Sequence, residues 1–457
     1  MTEQSRRDFL KALGAAAATL VFPNVLSATD RSKRKPNVIL IFTDDQGTID
    51  LNCYGAKDLI TPNLDRLARE GTRFTQFYVG APVCSPSRAA LMTGRYPQRA
   101  GVPGNVSSTK GNPGMPTDQV TIAEMMKSAG YATGHVGKWH LGYTPETMPN
   151  AQGYDNSFGH MGGCIDNYSH FFYWQGPNRH DLWENGKEIW REGEYFGDLM
   201  VEECKKFIDK EKNDPFFLYW AINMPHYPLQ GTEKWRAKYK DLPAPRKMYA
   251  AFVSTADEMI GKVVAHLEKL NLREDTIIIW LSDHGHSVEQ RTFSGGGSSG
   301  DFRGHKFTLW EGGIRIPCII SWPPHIPQNA VRDQVAISID WMPTIAEYCG
   351  LKPPARKIDG KSIARLIDSP DAPSPHETLH WQTGRGKQWA VRQGDFKLVH
   401  NGPATDYKSR KLPAEKNFLS DMTKDTTETK NIAENHPDIV ERLTKLHNEW
   451  ARNLQQQ

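Results

Sequence analysis

Two adjacent carboxylates, Asp44 and Asp45, stand directly after the apolar run Asn37–Thr43 (NVILIFT). Side by side at the end of a buried strand they repel each other unless they share a cation, and oxygen donors suit a hard ion such as Ca2+ or Mg2+. Asp283 and His284 follow a second apolar run, Thr276–Ser282 (TIIIWLS), in the matching way. His226 closes Asn223-Met224-Pro225-His226 after a third run, Phe216–Ile222 (FFLYWAI). Cys84 opens the segment Cys84-Ser85-Pro86-Ser87-Arg88. A thiol there is either an inert buried side chain or a nucleophile. Lys138 and His140 lie two apart, so an extended segment turns both toward one pocket.

The elements that must position these residues are legible in the hydrophobic pattern. The three apolar runs are short and rich in β-branched or aromatic residues, as in buried strands of a parallel sheet. Helical stretches lie between them at Thr61–Gly71, Val120–Gly130 and Met248–Leu270, punctuated by Pro62 near one start and by Gly71 and Gly130 at the ends. Strands alternating with helices, with polar clusters after the strands, predict an open α/β sheet with its site along one edge. The pattern changes after Gly350. Leu351–Ser374 is rich in Pro, Asp and Lys and reads as a connection; strand-like pieces follow at Glu377–Thr383 and Trp389–His400, broken by the turn Gln393-Gly394-Asp395. A last helix is expected over His436–Asn453. The expected division is therefore a leader over residues 1–30, a main domain over 35–350 and a smaller α+β subdomain over 351–457. Ser294–Gly300 (SGGGSSG) reads as a mobile loop.

Composition narrows the classes. Net charge is +3, from 56 basic and 53 acidic residues, which gives no electrostatic case for nucleic acid as a partner. Ser5-Arg6-Arg7-Asp8-Phe9-Leu10-Lys11 has the form of a twin-arginine export signal, and the Ala-rich run Ala12–Leu26 behind it is too short for a permanent membrane span. Cleavage is expected near Ala28. The reading is a periplasmic or secreted protein that uses the twin-arginine translocase, with no permanent membrane span. Because that route carries folded proteins, any modification of a cysteine during synthesis would precede export. The six cysteines show no C-x-x-C spacing and no zinc pattern.

Several blocks together carry a family resemblance. Cys84-Ser85-Pro86-Ser87-Arg88, then a small-residue helix and Thr93-Gly94-Arg95, resembles the signature of the type I, formylglycine-dependent sulfatases of the alkaline phosphatase superfamily, of arylsulfatase or N-acetylgalactosamine-6-sulfatase type. Gly137-Lys138-Trp139-His140-Leu141-Gly142, the N-x-P-H-x-P block around His226, and Gly304-His305-Lys306 leading to Trp310-Glu311-Gly312-Gly313-Ile314-Arg315-Ile316-Pro317 match further blocks of that family. The resemblance implies a large mixed sheet between helices with a small four-stranded antiparallel C-terminal sheet. It implies that Cys84 is oxidised to formylglycine by a maturation enzyme and hydrated to a diol, one hydroxyl attacking sulfur and the other later expelling sulfate. Asp44, Asp45, Asp283 and His284, with Cys84, map onto the ligands of one Ca2+, or of Mg2+. Many family members carry Asn where this chain has His284. Arg88 would brace the diol, Lys138 would hold formylglycine and sulfate oxygens, and His140 would take the proton from the diol. His226 would contact the sulfate and the leaving oxygen, with Lys306 on the leaving-group side. Fixed positive charge where the leaving oxygen becomes negative is what such an ester requires.

The segment Gly159–Trp190 is rich in His, Trp, Tyr, Arg and Asn and is expected to form the substrate-facing wall. Asp166, His170, Trp174, Arg179, His180 and Asp181 are its candidates for hydrogen bonds to sugar hydroxyls or for neutralising a neighbouring sulfate. The substrate expected is a sulfated polysaccharide or its oligosaccharides, of galactose or N-acetylgalactosamine type. Two other readings are a formylglycine-dependent phosphodiesterase or phosphonate monoester hydrolase, and an inactive carbohydrate-binding relative. The complete set of site residues argues against the last.

Overall fold

The computed structural model describes residues 35–454 except 175, 176 and 409, so the leader expected over residues 1–30 lies outside the described residues. The three apolar runs are strands β1 (Asn37–Thr43), β5 (Phe216–Ala221) and β6 (Thr276–Ser282), and every residue in them is buried. Burial on both faces is why they read as continuous apolar runs rather than as alternating ones. Together with β2 (Gly71–Tyr78), β3 (Ala132–Lys138), β4 (Asn156–His160) and β7 (Arg315–Ser321) they form the body of an 11-stranded sheet. The long strands lie in the order β2-β7-β6-β1-β5-β3-β4. From β6 to β4 all neighbours are parallel, and β7 runs antiparallel to both β6 and β2. The sheet is therefore mixed, with a parallel centre.

Helices cover the sheet. The first, α1 (Pro62–Arg69), and the long helix α4 (Arg246–Lys269) pack on each other, and α3 (Phe196–Glu211) packs against α4 and β3. Helix α2 (Cys84–Thr93) is buried along its whole length. Its serines and alanines make that close fit possible. At Gly80 an added Cβ would lie 2.7 Å from the Ala90 side chain. The helix stops at Gly94, whose φ of +63° favours glycine and whose N–H donates to the Ala90 carbonyl.

A second, four-stranded antiparallel sheet is a meander of β8 (Thr378–Thr383), β9 (Gln388–Gln393), β10 (Phe396–Gly402) and β11 (Glu415–Asp421), backed by α5 (Pro437–Leu454). Leu379, Trp381, Ala390, Val399 and Phe418 share a hydrophobic cluster with Phe77, Tyr78 and Val79, and residues 37–457 form one compact unit. The tract Ser294–Gly300 departs from the expected mobile loop. Ser298 N–H donates to Asp50 at 2.7 Å, Ile49 N–H to the Ser298 carbonyl at 3.3 Å, and Arg246 to the Gly296 carbonyl at 2.8 Å. Its glycines permit close approach: a Cβ on Gly297 would meet the His286 side chain at 2.4 Å. Among the described residues no helix is long and apolar enough to cross a membrane, and no disulfide joins any of the six cysteines.

Candidate active site

Four neighbouring parallel strands deliver the site. Lys138 is the last residue of β3, His226 follows β5, Asp44 and Asp45 follow β1, and Asp283 and His284 follow β6. The strand order β6-β1-β5-β3 places these carboxyl ends side by side on one edge of the sheet. Cys84 reaches the same place from the first position of α2, where the helix end favours negative charge. The N–H of Ser85 donates to Asn105 Oδ1 at 3.1 Å, and Ser87 Oγ donates to the Asp283 carbonyl at 2.6 Å, so the start of the helix is fastened to the acidic turn.

Charge is interleaved at the floor. Arg88, fully buried, donates to Asp44 at 3.2 Å, to Asp283 at 3.3 Å and to the Lys138 carbonyl at 3.2 Å. Lys138 Nζ lies 2.5 Å from Asp44 Oδ2. Lys306 Nζ lies 2.9 Å from Asp45 Oδ1 and 3.3 Å from Glu289. Burial works against charge on Asp44, yet Lys138, His226, Arg88 and Lys306 hold its carboxyl well below the usual range. For Asp45 and Asp283 burial, reinforced by Asp44, wins, and both are pushed up to about 7. The Cys84 thiol is also opposed by burial, but Lys138 and Lys306 bring it down to about 6. Burial and the Lys138 charge keep His140 neutral. Burial does the same for His226 against the pull of Asp44, with Lys306 and Lys138 acting in the same direction as burial.

The histidine ring orientations follow from their second nitrogens. His140 places Nε2 3.2 Å from the Val106 carbonyl, His226 places Nδ1 2.8 Å from the Tyr227 carbonyl, and His284 places Nδ1 3.0 Å from the Gly285 carbonyl. A carbonyl only accepts, so each of these nitrogens carries the proton, and in the neutral rings of His140 and His226 the other presents a lone pair. For His284 that other nitrogen, Nε2, lies 3.4 Å from Cys84 Sγ and 3.4 Å from Asp283 Oδ1. Donor atoms of Asp44, Cys84, Asp283 and His284 all lie within 4.8 Å of one another, and those of Asp44, Asp45 and His226 do the same. Buried carboxylates at this density fit a hard divalent cation, with one imidazole compatible with it. The predicted ligands Asp44, Cys84, Asp283 and His284 thus come together as one group, and Asp45 joins Asp44 and His226 in the adjoining one.

Above this floor opens a cavity of about 630 Å³ lined by Cys84, His140, His226 and Lys306 from the predicted set. Of the residues expected to face substrate, Arg179 lines it. Trp174 stands behind the wall, packed on Tyr227 with ring centroids 5.4 Å apart. The other candidates have structural duties. Asp181 is fully buried and accepts from Tyr143 at 2.6 Å, from the N–H groups of Met161 and Gly162, and from Trp183. His170 is fully buried beside the Glu194 carbonyl, and His180 stacks on Trp190 at 3.8 Å. Asp166 binds the N–H groups of Tyr168 and Ser169 and the Gln230 amide. Polar residues in this segment hold its irregular backbone together, which composition alone cannot separate from substrate contact. Asn105, Glu289 and Arg291 line the cavity without having been singled out in the sequence. Asn105 and Glu289 lie on loops and Arg291 in the one-turn helix Gln290–Thr292, segments with no periodic or motif signal.

A Sulfatase family model matches residues 36–351, a model for the C-terminal region of N-sulphoglucosamine sulphohydrolase matches residues 300–456, and a twin-arginine signal model matches residues 3–23. Arylsulfatase A of Homo sapiens is 33% identical over 457 residues, covering 90% of this chain and 87% of that protein. N-acetylgalactosamine-6-sulfatase of Sus scrofa is 35% identical over 350 residues, covering 72% of this chain and 65% of that protein. The crystal structure of Ps i-CgsB in complex with k-i-k-neocarrahexaose superimposes with a TM-score of 0.82 at 31% identity, over 91% of this chain and 93% of that one. The matched region contains β1, the Cys84 helix and both acidic turns. The chain belongs to the sulfatase family and is a sulfuric ester hydrolase.

Proposed function

We propose that this hydrolase removes sulfate from sulfated polysaccharides or oligosaccharides, with galactose or N-acetylgalactosamine units as the leading candidates, and that its nucleophile is Cys84 after oxidation to formylglycine in the cytoplasm. The observation that carries the reading is the convergence of Cys84, three basic side chains and two neutral histidines beneath one open cavity. A relative named N-acetylgalactosamine-6-sulfatase and a similar structure solved with k-i-k-neocarrahexaose support the substrate class. In its oxidised, hydrated form Cys84 supplies two geminal hydroxyls, one to displace the ester at sulfur and the other to release sulfate by carbon–oxygen cleavage. Asp44, Asp45, Asp283 and His284, beside Cys84, would hold one Ca2+, or Mg2+, and the positive charge it would supply there favours binding of the sulfate group.

The chain's own residues do the rest. Arg88 fixes the orientation of Asp44 and Asp283 from below. Lys138, at Asp44, and Lys306, at Asp45, set permanent positive charge near Cys84, a preorganised field that acts in the transition state without rearrangement. His140, its Nε2 proton engaged by Val106, presents Nδ1 as the base that takes a proton from the residue at position 84. His226 presents Nε2 toward the sulfate, and Lys306 faces the leaving oxygen. Export by the twin-arginine route places the enzyme in the periplasm or outside the cell. Rates on sulfate monoesters, phosphate monoesters and phosphodiesters, measured on one preparation, test the assignment. Sulfate esters are expected to lead by at least about a hundredfold, some 3 kcal/mol in transition-state stabilisation; a preference for phosphodiesters overturns it. The mass of the Cys84 peptide is expected to be about 18 Da below that of the thiol form, the change from thiol to aldehyde.

A further inference from the structure

We propose that Phe307 determines specificity in this reaction: its ring is the platform on which the pyranose bearing the scissile ester stacks. The inference rests on the reading of this enzyme as a carbohydrate sulfatase with Lys306 on the leaving-group side. Besides histidines, the aromatic side chains lining the cavity are Phe172, Tyr227 and Phe307. Phe172 and Tyr227 are buried. Phe307 is 46% exposed and is, among the described residues, the one large exposed hydrophobic side chain that lines the cavity. Its distance from the reacting centre is set by the neighbouring lysine. Lys306 Nζ lies 5.3 Å from the Phe307 ring centroid and 2.9 Å from Asp45. An oxygen held by Lys306 therefore brings the sugar attached to it within reach of the exposed ring.

The backbone gives this exposure its meaning. Phe307 has a φ of +72°, a left-handed conformation that bulky side chains rarely adopt because Cβ crowds the following carbonyl. Such a conformation persists only where the surroundings impose it. Here they do. The N–H of Lys306 donates to the His286 carbonyl at 3.0 Å, that of Phe307 to the Pro82 carbonyl at 2.8 Å, and that of Thr308 to the His305 carbonyl at 3.0 Å. The bond to Pro82 ties Phe307 to the segment that leads into the Cys84 helix. Glycine would make the same turn without strain and without an apolar group facing water. A phenyl ring in its place is accounted for by a ligand that covers it. One face of a pyranose is apolar, and its weakly positive C–H groups meet the negative face of an aromatic ring. In the galacto configuration the axial 4-hydroxyl leaves a run of C–H groups on the opposite face, the face best suited to such contact. Stacking removes apolar surface of both partners from water, while the hydroxyls at the edge of the sugar stay available to polar groups of the cavity.

The test is the steady-state kinetics of wild type, Phe307→Ala, Phe307→Gly and Phe307→Tyr on monosulfated galactose and N-acetylgalactosamine. Inhibition by inorganic sulfate probes the floor of the site alone, and thermal unfolding is the folding control. Loss of the ring is expected to raise KM about tenfold, some 1.4 kcal/mol. The turnover number should change by less than about threefold and the inhibition constant of sulfate should stay where it is, because the ring holds the sugar rather than the reacting group. Phe307→Tyr keeps the aromatic face and should remain within about twofold of wild type. Phe307→Gly, relieved of the left-handed strain, should unfold at or above the wild-type midpoint, which separates its loss of sugar binding from a loss of folding. An unchanged KM in the alanine and glycine variants, or a sulfate inhibition constant that rises in step with KM, overturns the proposal while sulfate release continues. Absence of sulfate release from every sugar, with an aryl sulfate still hydrolysed, defeats the carbohydrate reading and the proposal together.

Discussion

At the scale of single residues the instructive case is His284, because it stands where many members of the family carry Asn. Its Nδ1 is committed to the Gly285 carbonyl, which leaves Nε2 directed at Cys84 and Asp283. An imidazole oriented by a backbone carbonyl is a good ligand. His284→Ala is therefore expected to weaken Ca2+ binding about ten- to hundredfold, and His284→Asn, which offers an amide oxygen in place of the ring nitrogen, should weaken it less. Calorimetric titration of the metal-stripped protein reads this without any turnover. Equal affinity of wild type and the alanine variant would place His284 outside the ligand set. Ion removal should also lower thermal stability. A ligand at about a hundred times its Kd adds about 2.7 kcal/mol to the folded state, so chelation is expected to reduce the unfolding midpoint and added Ca2+ to restore it. The acidic turns were legible in the sequence because a carboxylate directly after a buried strand cannot be buried without a partner. Asn105, Glu289 and Arg291 were not, since a polar residue on a loop or a single turn looks the same whether it faces a cavity or solvent.

Elements show the same contrast between local pattern and distant partner. The strands at 37–43, 216–221 and 276–282 were readable because complete burial writes itself as an unbroken apolar run. The start of α1 at Pro62 was readable too, but the group that caps it was not. Its first N–H groups, on Asn63 and Leu64, are capped by Asp257 from α4, at 3.2 and 2.8 Å, nearly two hundred residues away in sequence. The tract at 294–300 was misread for the same reason, because its anchors Asp50 and Arg246 lie far off in the chain. The Asp257 cap has a pH signature. Burial, the largest influence, pushes its carboxyl up to about 6 from an ordinary value of 3.8, despite the hydrogen bonds it accepts from Leu64 and Asn63. Between those two values the folded protein holds a proton that the unfolded chain has lost. The group's stabilising contribution is thus largest at or below about pH 4 and falls as pH rises through 6, by up to about 3 kcal/mol. Denaturant titrations from pH 4 to 7 on wild type and Asp257→Asn, compared as a difference, should show that slope in the wild type alone. A pH-independent difference would mean that Asp257 is charged in the folded protein throughout.

The whole molecule is joined across its two sheets by a buried ionic cluster. Lys397, on β10 of the small sheet, lies 2.8 Å from Glu311 and 2.9 Å from Glu428, with all three side chains fully buried. Glu311 also accepts from Tyr78 at the end of β2, at 2.7 Å, and pairs with Arg315 at the start of β7, at 3.3 Å. The sequence suggested a boundary near residue 350 because composition changes there, but composition does not report which ions meet or which cores merge. Lys397→Met removes the shared cation and leaves two carboxylates facing each other in the interior. A broken buried pair costs about 3–5 kcal/mol, so the denaturant midpoint should fall substantially. Adding Glu428→Gln, which removes the carboxylate left without its lysine while Glu311 keeps Arg315, is expected to recover part of the loss. The shape of the transition matters as much as its position. Because Leu379, Trp381 and Phe418 sit in one hydrophobic cluster with Phe77 and Tyr78, the weakened protein should still unfold in a single step, with activity and tryptophan fluorescence lost together. An earlier, separate loss of the C-terminal sheet, seen as proteolytic release of the segment after residue 350 while residues 37–350 stay folded, would show that the ionic cluster rather than the shared core holds the two sheets together.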